Sequence, residues 1–383
     1  MNKQILPLLA AQFLSAFADN AILFAIIALV MQSTELPNWY VPALQSVFLI
    51  APVLLAPWLG AFADSHAKAR VLILANLVKA LGAGLILFKV EALFAYGIIG
   101  VGAAIYSPAK YGILPELSGH QGLVKVNSWI EGSTILAILL GMVIGAKVAD
   151  YSVPWAVAGS VVLYMASALF TLFLPVSISK KTAAKTKLLA FAIEIKQFFS
   201  SPRARFAIVS AALFWATAAT LRVVIVAWAP LVLATKNASD ISELTLALAV
   251  GIVAGSALVP TLIPLEHLRR ARIPAYLMAL FVLILSLTES NWPARFSLFF
   301  IGMMGGMFIV PVNAALQELG QQSIGSGSAV ALQNFFQNLT MLVAVGCYTY
   351  AASLAVSPVT ALIALSIVVF VATFLIALRL RDN

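Results

Sequence analysis

Long apolar runs separated by short polar stretches make up most of the chain. Twelve can be marked, at about 5–31, 40–63, 70–89, 92–114, 123–148, 153–175, 205–234, 242–265, 273–289, 293–317, 325–352 and 356–379. Each has about 20 residues or more, which at ~1.5 Å per residue crosses a ~30 Å hydrocarbon core. Backbone in lipid must satisfy its own hydrogen bonds, so runs of this length are predicted to be helices. The strict apolar–polar alternation of a barrel strand is absent. The first run is too long for a signal-peptide core and no small-residue cleavage site follows it, so it reads as a retained first helix.

The pattern repeats. Asp19 and Arg222 each stand alone inside an apolar run and lie 203 residues apart. Gly102 and Gly305, Pro108 and Pro311, and Gly122 and Gly325 keep the same offset. Asp64, Lys68 and Arg70 match Glu266, Arg270 and Arg272 at 202. The expected architecture is an all-α polytopic membrane protein. Its twelve transmembrane helices form two six-helix halves related by pseudo-two-fold symmetry, residues 1–175 and 205–383. Two parallel repeats around a central site are the build of a secondary transporter.

Residues 176–204 join the halves. The tail of this linker, KLLAFAIEIKQFF, places Leu188, Leu189, Ala192, Ile195, Phe198 and Phe199 on one side and Lys187, Glu194 and Lys196 nearer the other. That is the pattern of an amphipathic helix lying on the membrane surface.

Composition agrees with the pattern. Hydrophobic residues make up 62% of the chain and charged residues 10%, against about 25% charged in a soluble domain. The net charge of +9 is topological. With the N-terminus and alternate loops on one side, seventeen basic residues fall there and four on the other. This places both termini in the cytoplasm, facing anionic lipid headgroups, and needs no nucleic-acid partner. Cys347 is the only cysteine and sits in an apolar run, while His66, His120 and His267 fall in short loops. No metal-ligand cluster, cofactor motif, nucleotide-binding loop or catalytic triad is present.

Charge inside a bilayer is costly, and its default reading is a functional site. Asp19 is placed near the midplane of the first segment and Arg222 at the equivalent place in the seventh. Two facing charges can neutralise each other, or Arg222 can present its planar fork to a phosphate and release Asp19 to an ammonium or hydroxyl. Asn20 either binds headgroup oxygens or bonds a neighbouring helix. Lys110, near the inner end of the fourth segment, either receives a phosphate or snorkels to the surface. Lys79 and Glu131 are either a structural pair or site residues. Gln333, Asn334 and Asn338 give the eleventh segment a polar stripe, which either lines the site or holds helices together. Gly141 with Gly145, and Gly251 with Gly255, have small-xxx-small spacing. They are expected either to pack helices statically or to meet across the two halves as an outer seal.

GAFADSHAKAR, with Gly60, Asp64, Lys68 and Arg70, resembles the loop signature of the major facilitator superfamily. The resemblance implies that Asp64 caps the start of the eleventh helix, at Gly325 and the residues after it, when the inner gate is shut. A narrower resemblance runs through AQFLSAFADNAILFA, ANLVKALGAG, GVGAAIYSPAKYGILPEL, LVKVNSWIEGSTILAILLG, LFWATAATLRVVIVAW, PVNAALQELG and SGSAVALQNFFQN. These are similar to the lysophospholipid transporter family of Gram-negative inner membranes. The chain departs from that family in starting almost at the first segment. What the resemblance implies is movement of lysophospholipid from the periplasmic to the cytoplasmic leaflet, where an acyltransferase restores the second chain. The competing expectation is a multidrug or small-amphiphile exporter of the same fold. That would call for a greasy cavity with one acid and no phosphate-binding base.

Overall fold

The computed structural model describes residues 5–33, 36–175, 187–263, 265–323 and 326–378. Twelve α-helices follow in chain order: α1 Ile5–Gln32, α2 Tyr40–Ser65, α3 Lys68–Leu87, α4 Ala92–Tyr151, α5 Val153–Thr171, α6 Lys187–Phe198, α7 Pro202–Leu233, α8 Ala238–Leu262, α9 Arg272–Ser286, α10 Asn291–Ser323, α11 Ser326–Ser353 and α12 Pro358–Leu378. A 3-10 turn, Leu265–Ala271, precedes α9.

Two of the expected segments, the fourth and fifth, lie in one helical stretch, α4, of 60 residues. It holds two membrane-length arms, 92–114 and 132–151. Register shows that these run in opposite directions. Gly82 packs on Ile99, Gly102 on Ala75 and Lys79, and Gly112 on Lys68, so the first arm is antiparallel to α3. Gln12 bonds Thr134, Gly141 packs on Phe17 and Gly145 on Ala21, so the second arm is parallel to α1. Since Ser15 bonds Asn76 and Asp19 bonds Lys79, α1 and α3 are themselves parallel. A straight helix would separate Gly102 from Gly141 by about 58 Å, yet both lie within a turn or two of the Asp19–Lys79 contact.

Ten stretches among the described residues are long and apolar enough to cross a membrane, two fewer than the twelve expected. The two outside that set have physical reasons. α9 has only 15 residues. α11 is long enough at 28 residues, but Gln333, Asn334, Gln337 and Asn338 lower its hydropathy.

The chain divides into two compact units. Unit 1 comprises Met1–Leu36, Val47–Leu188 and Asn237–Ser242; unit 2 comprises Pro37–Ser46, Leu189–Lys236 and Glu243–Asn383. In unit 1, α1 is enclosed by α3, both arms of α4 and α5. Leu8, Leu72, Ile113 and Ile130, all buried, form part of the core at one end of this unit. In unit 2, α7 packs on α10, α11 and α12. Phe374 and Leu375 of α12 are exposed apolar side chains, as expected of a helix that faces lipid.

Close helix contacts repeat between the units. Gly100 of α4 meets the backbone of Phe48 in α2, and Gly302 of α10 meets that of Leu248 in α8. Gly102 meets Ala75 of α3; Gly305 meets the ring of Phe214 in α7, with Met278 of α9 at 3.6 Å. Glycine recurs at these points because a side chain would collide with the neighbouring helix.

α6 forms where the linker pattern placed it. Phe198 at its end is buried, and Phe199 stacks 5.1 Å from Phe336 of α11.

Candidate functional site

Unit 1 holds a polar pocket of about 210 Å³, with Gln12, Ser15, Asp19, Lys79, Tyr106 and Lys110 among its lining residues. A drug-sized site starts at about 300 Å³, so this volume suits a headgroup rather than a whole lipid.

The pocket and the bonded network behind it are built by residues one or two turns apart on the same helix faces. Gln12, Ser15 and Asp19 follow one another along α1, Asn76 and Lys79 along α3, Tyr106 and Lys110 along α4, and Tyr164 and Ser167 along α5. Lys79 is 1% exposed. Its Nζ donates to Asp19 Oδ2 at 2.8 Å and to Ser15 Oγ at 3.1 Å. The rings of Tyr106 and Tyr164 lie 4.8 and 5.6 Å from the same ammonium, within reach of a cation–π contact. Tyr164 Oη donates to Asp19 Oδ1 at 2.9 Å. A buried charge is tolerable when it is paired and its remaining protons and lone pairs are satisfied. Here both carboxylate oxygens and most of the ammonium's bonding capacity are engaged.

The network continues in one direction. Ser15 Oγ donates to Asn76 Oδ1 at 2.9 Å, Asn76 Nδ2 to Ser167 Oγ at 2.9 Å, and Ser167 Oγ to the carbonyl of Ala11 at 2.6 Å. Each hydroxyl spends its proton on the next acceptor and receives one from the previous donor. That ordering ties α1, α3 and α5 together behind the Asp19–Lys79 pair.

Asp19 is engaged within unit 1 by Lys79 and Tyr164; Arg222 is a half-buried residue of α7 in unit 2. Lys79 pairs with Asp19. The helical register places Lys79 one turn beyond Ser15 and level with Asp19. The side chain of Glu131 lies outside the described residues. In the second copy Val282 stands 203 residues after Lys79 and is fully buried, so the acid–lysine pair belongs to unit 1 alone.

Lys110 is 8% exposed and lines the pocket, with its Nζ 4.2 Å from the Tyr111 ring. Asn20 also lines the pocket, and its Nδ2 donates to the carbonyl of Ala16 in its own helix at 2.9 Å. In unit 2, Gln333 Nε2 donates to Asn313 Oδ1 of α10 at 2.8 Å. The carbonyl of Asn334 accepts from Asn338 Nδ2 at 2.7 Å.

The glycine pairs face inward within their own units. A Cβ on Gly141 or Gly145 would meet Phe17 or Ala21 of α1. One on Gly251 or Gly255 would meet Phe299 and Met303 of α10. Lys68 runs its side-chain stem past Gly112, and Arg70 is exposed. The side chain of Asp64, the surroundings of Gly60, and Gly325 lie outside the described residues.

Sequence reasoning missed Gln12, Ser15, Asn76, Tyr106, Tyr164 and Ser167. The signal was there: polar residues at three- and four-residue spacing in otherwise apolar helices. A lone hydroxyl or amide in an apolar helix is common and marks a site less sharply than a charge does.

The Major Facilitator Superfamily model matches residues 8–345. The chain belongs to the major facilitator superfamily. Its relatives within the superfamily include a protein named Lysophospholipid transporter LplT from Klebsiella pneumoniae subsp. pneumoniae. That protein is 40% identical over 365 residues, covering 94% of this chain and 91% of the relative. One of the same name from Shigella boydii serotype 4 is 41% identical over 354 residues, covering 91% and 89%. Among solved structures, nucleoside transporter NupG superposes with a TM-score of 0.76 at 13% identity over 100% of both chains. A POT family transporter in complex with 5-aminolevulinic acid gives 0.75 at 12% identity over 99% and 96%. At such identities the likeness is one of fold. This superfamily member is thus a multi-pass membrane protein built on a transporter fold.

Proposed function

We propose that this chain transports lysophospholipids. The observation that carries the reading is the charge balance of the unit 1 pocket. Its lining includes one carboxylate, Asp19, and two ammonium groups, Lys79 and Lys110. Asp19 and Lys79 are bonded to each other, and Lys110 adds a second cation to the same lining. That set suits a phosphodiester better than a hydrophobic cation of the kind many exporters carry. Relatives alike over nearly the whole chain are named lysophospholipid transporters, which supplies the substrate class.

In this reading Lys110 meets the phosphate, and Asp19 and Lys79 form a neutral, rigid wall. Arg222 is the unit 2 residue proposed for phosphate, through its bidentate fork. Asn20, Glu131, Gln333 and Asn334 complete the proposed headgroup set. The lipid moves from the periplasmic to the cytoplasmic leaflet of the inner membrane by alternating access. Both termini are cytoplasmic, and residues 1–175 and 205–383 are the moving halves, tethered by 176–204. The product is the substrate of a cytoplasmic acyltransferase. Asp64, with Gly60, Lys68 and Arg70, is proposed to close the cytoplasmic side by capping α11. No covalent step is assigned to the protein.

Uptake of labelled lysophospholipids into spheroplasts, with and without the protein, tests this reading. Uptake should appear with the protein and tolerate changes of headgroup beyond the phosphate. Protein-dependent efflux of a lipophilic cation, with no lysolipid uptake, would favour an exporter instead.

A further inference from the structure

Gln12 carries a polar atom that the pocket does not satisfy. It is 4% exposed on α1, in the pocket wall. Its Nε2 donates to Thr134 Oγ1 at 2.8 Å. Thr134 in turn donates its own proton to the carbonyl of Ile130 at 2.7 Å, so toward Gln12 its oxygen can only accept. With the proton there, the amide turns Nε2 to Thr134 and Oε1 away from it, and Oε1 is buried without a hydrogen-bond partner. A buried acceptor left unpaired costs about 1–3 kcal/mol.

The pocket therefore has a place for a donor. A phosphodiester has none, and neither has an acyl ester. The glycerol hydroxyl freed by loss of one acyl chain does have one. It is common to all lysophospholipids, and in a 1-acyl lysophospholipid its carbon is next to the one that bears the phosphate. Lys79 and Lys110 in the same lining are cations that answer the charge, and Tyr106 Oη, also buried without a partner, is a donor rather than a pure acceptor. We propose that Gln12, oriented by Thr134, is the residue that reads this hydroxyl, and so separates lysophospholipids from their diacyl parents. Replacing the hydroxyl by an ester removes the proton and leaves Oε1 unpaired. Sites built around a substrate hydroxyl reject analogues lacking it far more strongly than apolar sites reject a missing methylene. This inference rests on the substrate proposed above.

The test compares uptake of two lipids with the same acyl chain and the same ethanolamine headgroup: 1-acyl lysophosphatidylethanolamine and its 2-deoxy analogue. Because the headgroup is shared, an ammonium contact cannot produce a difference. Wild type should prefer the hydroxyl lipid at least about fivefold. Gln12→Met, similar in length but without the acceptor, should take up both at equal rates. Thr134→Val, which frees the amide to turn, should weaken the preference and provides the readout if the first variant folds poorly. Equal uptake by wild type would overturn the proposal. So would an unchanged ratio in both variants. Failure of wild type to take up either lipid would instead remove the substrate assignment on which this inference stands.

Discussion

Lys79 of α3 donates to Asp19 of α1 at 2.8 Å from a position only 1% exposed. The pair lets a membrane unit keep two charges near its centre. It also explains why a lysine can sit mid-helix without snorkelling: its counter-charge and a serine acceptor are already in place. Breaking a buried pair by removing one partner strands the other, typically at about 3–5 kcal/mol.

Lys79→Ala should therefore lower the Tm of the purified protein strongly. Asp19→Asn should lower it less, since the amide keeps an acceptor for Lys79. The double variant Asp19→Asn/Lys79→Met, which leaves no unpaired charge, should recover much of the stability lost in Lys79→Ala. A double variant no more stable than Lys79→Ala would show that the pair is not what holds α1 to α3.

Gly102 and Gly84 offer an internal comparison. A Cβ at Gly102 would lie 2.6 Å from Lys79 Cγ and 2.7 Å from the Ala75 carbonyl, whereas one at Gly84 meets nothing within 4 Å. Gly102→Ala should cost roughly 1–3 kcal/mol by overpacking and should displace Lys79, so transport falls with stability. Gly84→Ala should be neutral or stabilising by up to about 1 kcal/mol from helix propensity. Thermal unfolding and uptake of both variants, measured side by side, decide the point.

Asp150 caps α8. Its Oδ1 accepts from the Ala238 amide and its Oδ2 from the Ser239 amide, each at 2.9 Å, and Ser239 Oγ donates to Oδ2 as well. This carboxylate at the end of α4 satisfies the first free amides of another helix. Asp150→Ala should cost about 0.5–2 kcal/mol and loosen the 237–242 segment, read out by hydrogen exchange at those amides. Unchanged protection there would contradict the capping role.

Gly255→Leu should destabilise unit 2 itself, because the added side chain runs into Met303 of α10. A variant of normal stability that merely shifted thiol labelling between the two membrane faces would favour a moving seal over static packing. Such labelling needs Cys347, which is exposed, to be replaced first.

Arg222→Lys should be impaired in uptake at normal expression, as Arg222→Ala is expected to be. An ammonium keeps the charge and loses the fork. Wild-type uptake by the lysine variant would exclude bidentate phosphate binding.

Helix existence was the most legible property of the sequence. An apolar run long enough to span lipid has few other outcomes. The 203-residue offset was legible too, and it reappears in the contacts of Gly102 and Gly305. Partner identity was not. Asp19 and Lys79 are joined because α1 and α3 run parallel at one register and rotation. Nothing in linear spacing encodes which face of a helix meets which neighbour. The same gap explains the glycine pairs, whose spacing announced a close contact without naming the helix that makes it. The reversal inside α4 was legible as two apolar runs, although the chain stays helical between them. The orientation of Gln12 was beyond the sequence altogether, because it depends on where the proton of Thr134 goes.

The central claim, transport of lysophospholipid, is tested most directly with the purified protein in liposomes. A fluorescent lysophosphatidylethanolamine is added outside, and albumin extracts what remains in the outer leaflet. The account predicts that the albumin-resistant fraction grows faster with wild-type protein than in protein-free liposomes, and that Lys110→Ala removes most of the gain. Equal rates with and without wild-type protein, in liposomes where folding has been verified, would contradict it.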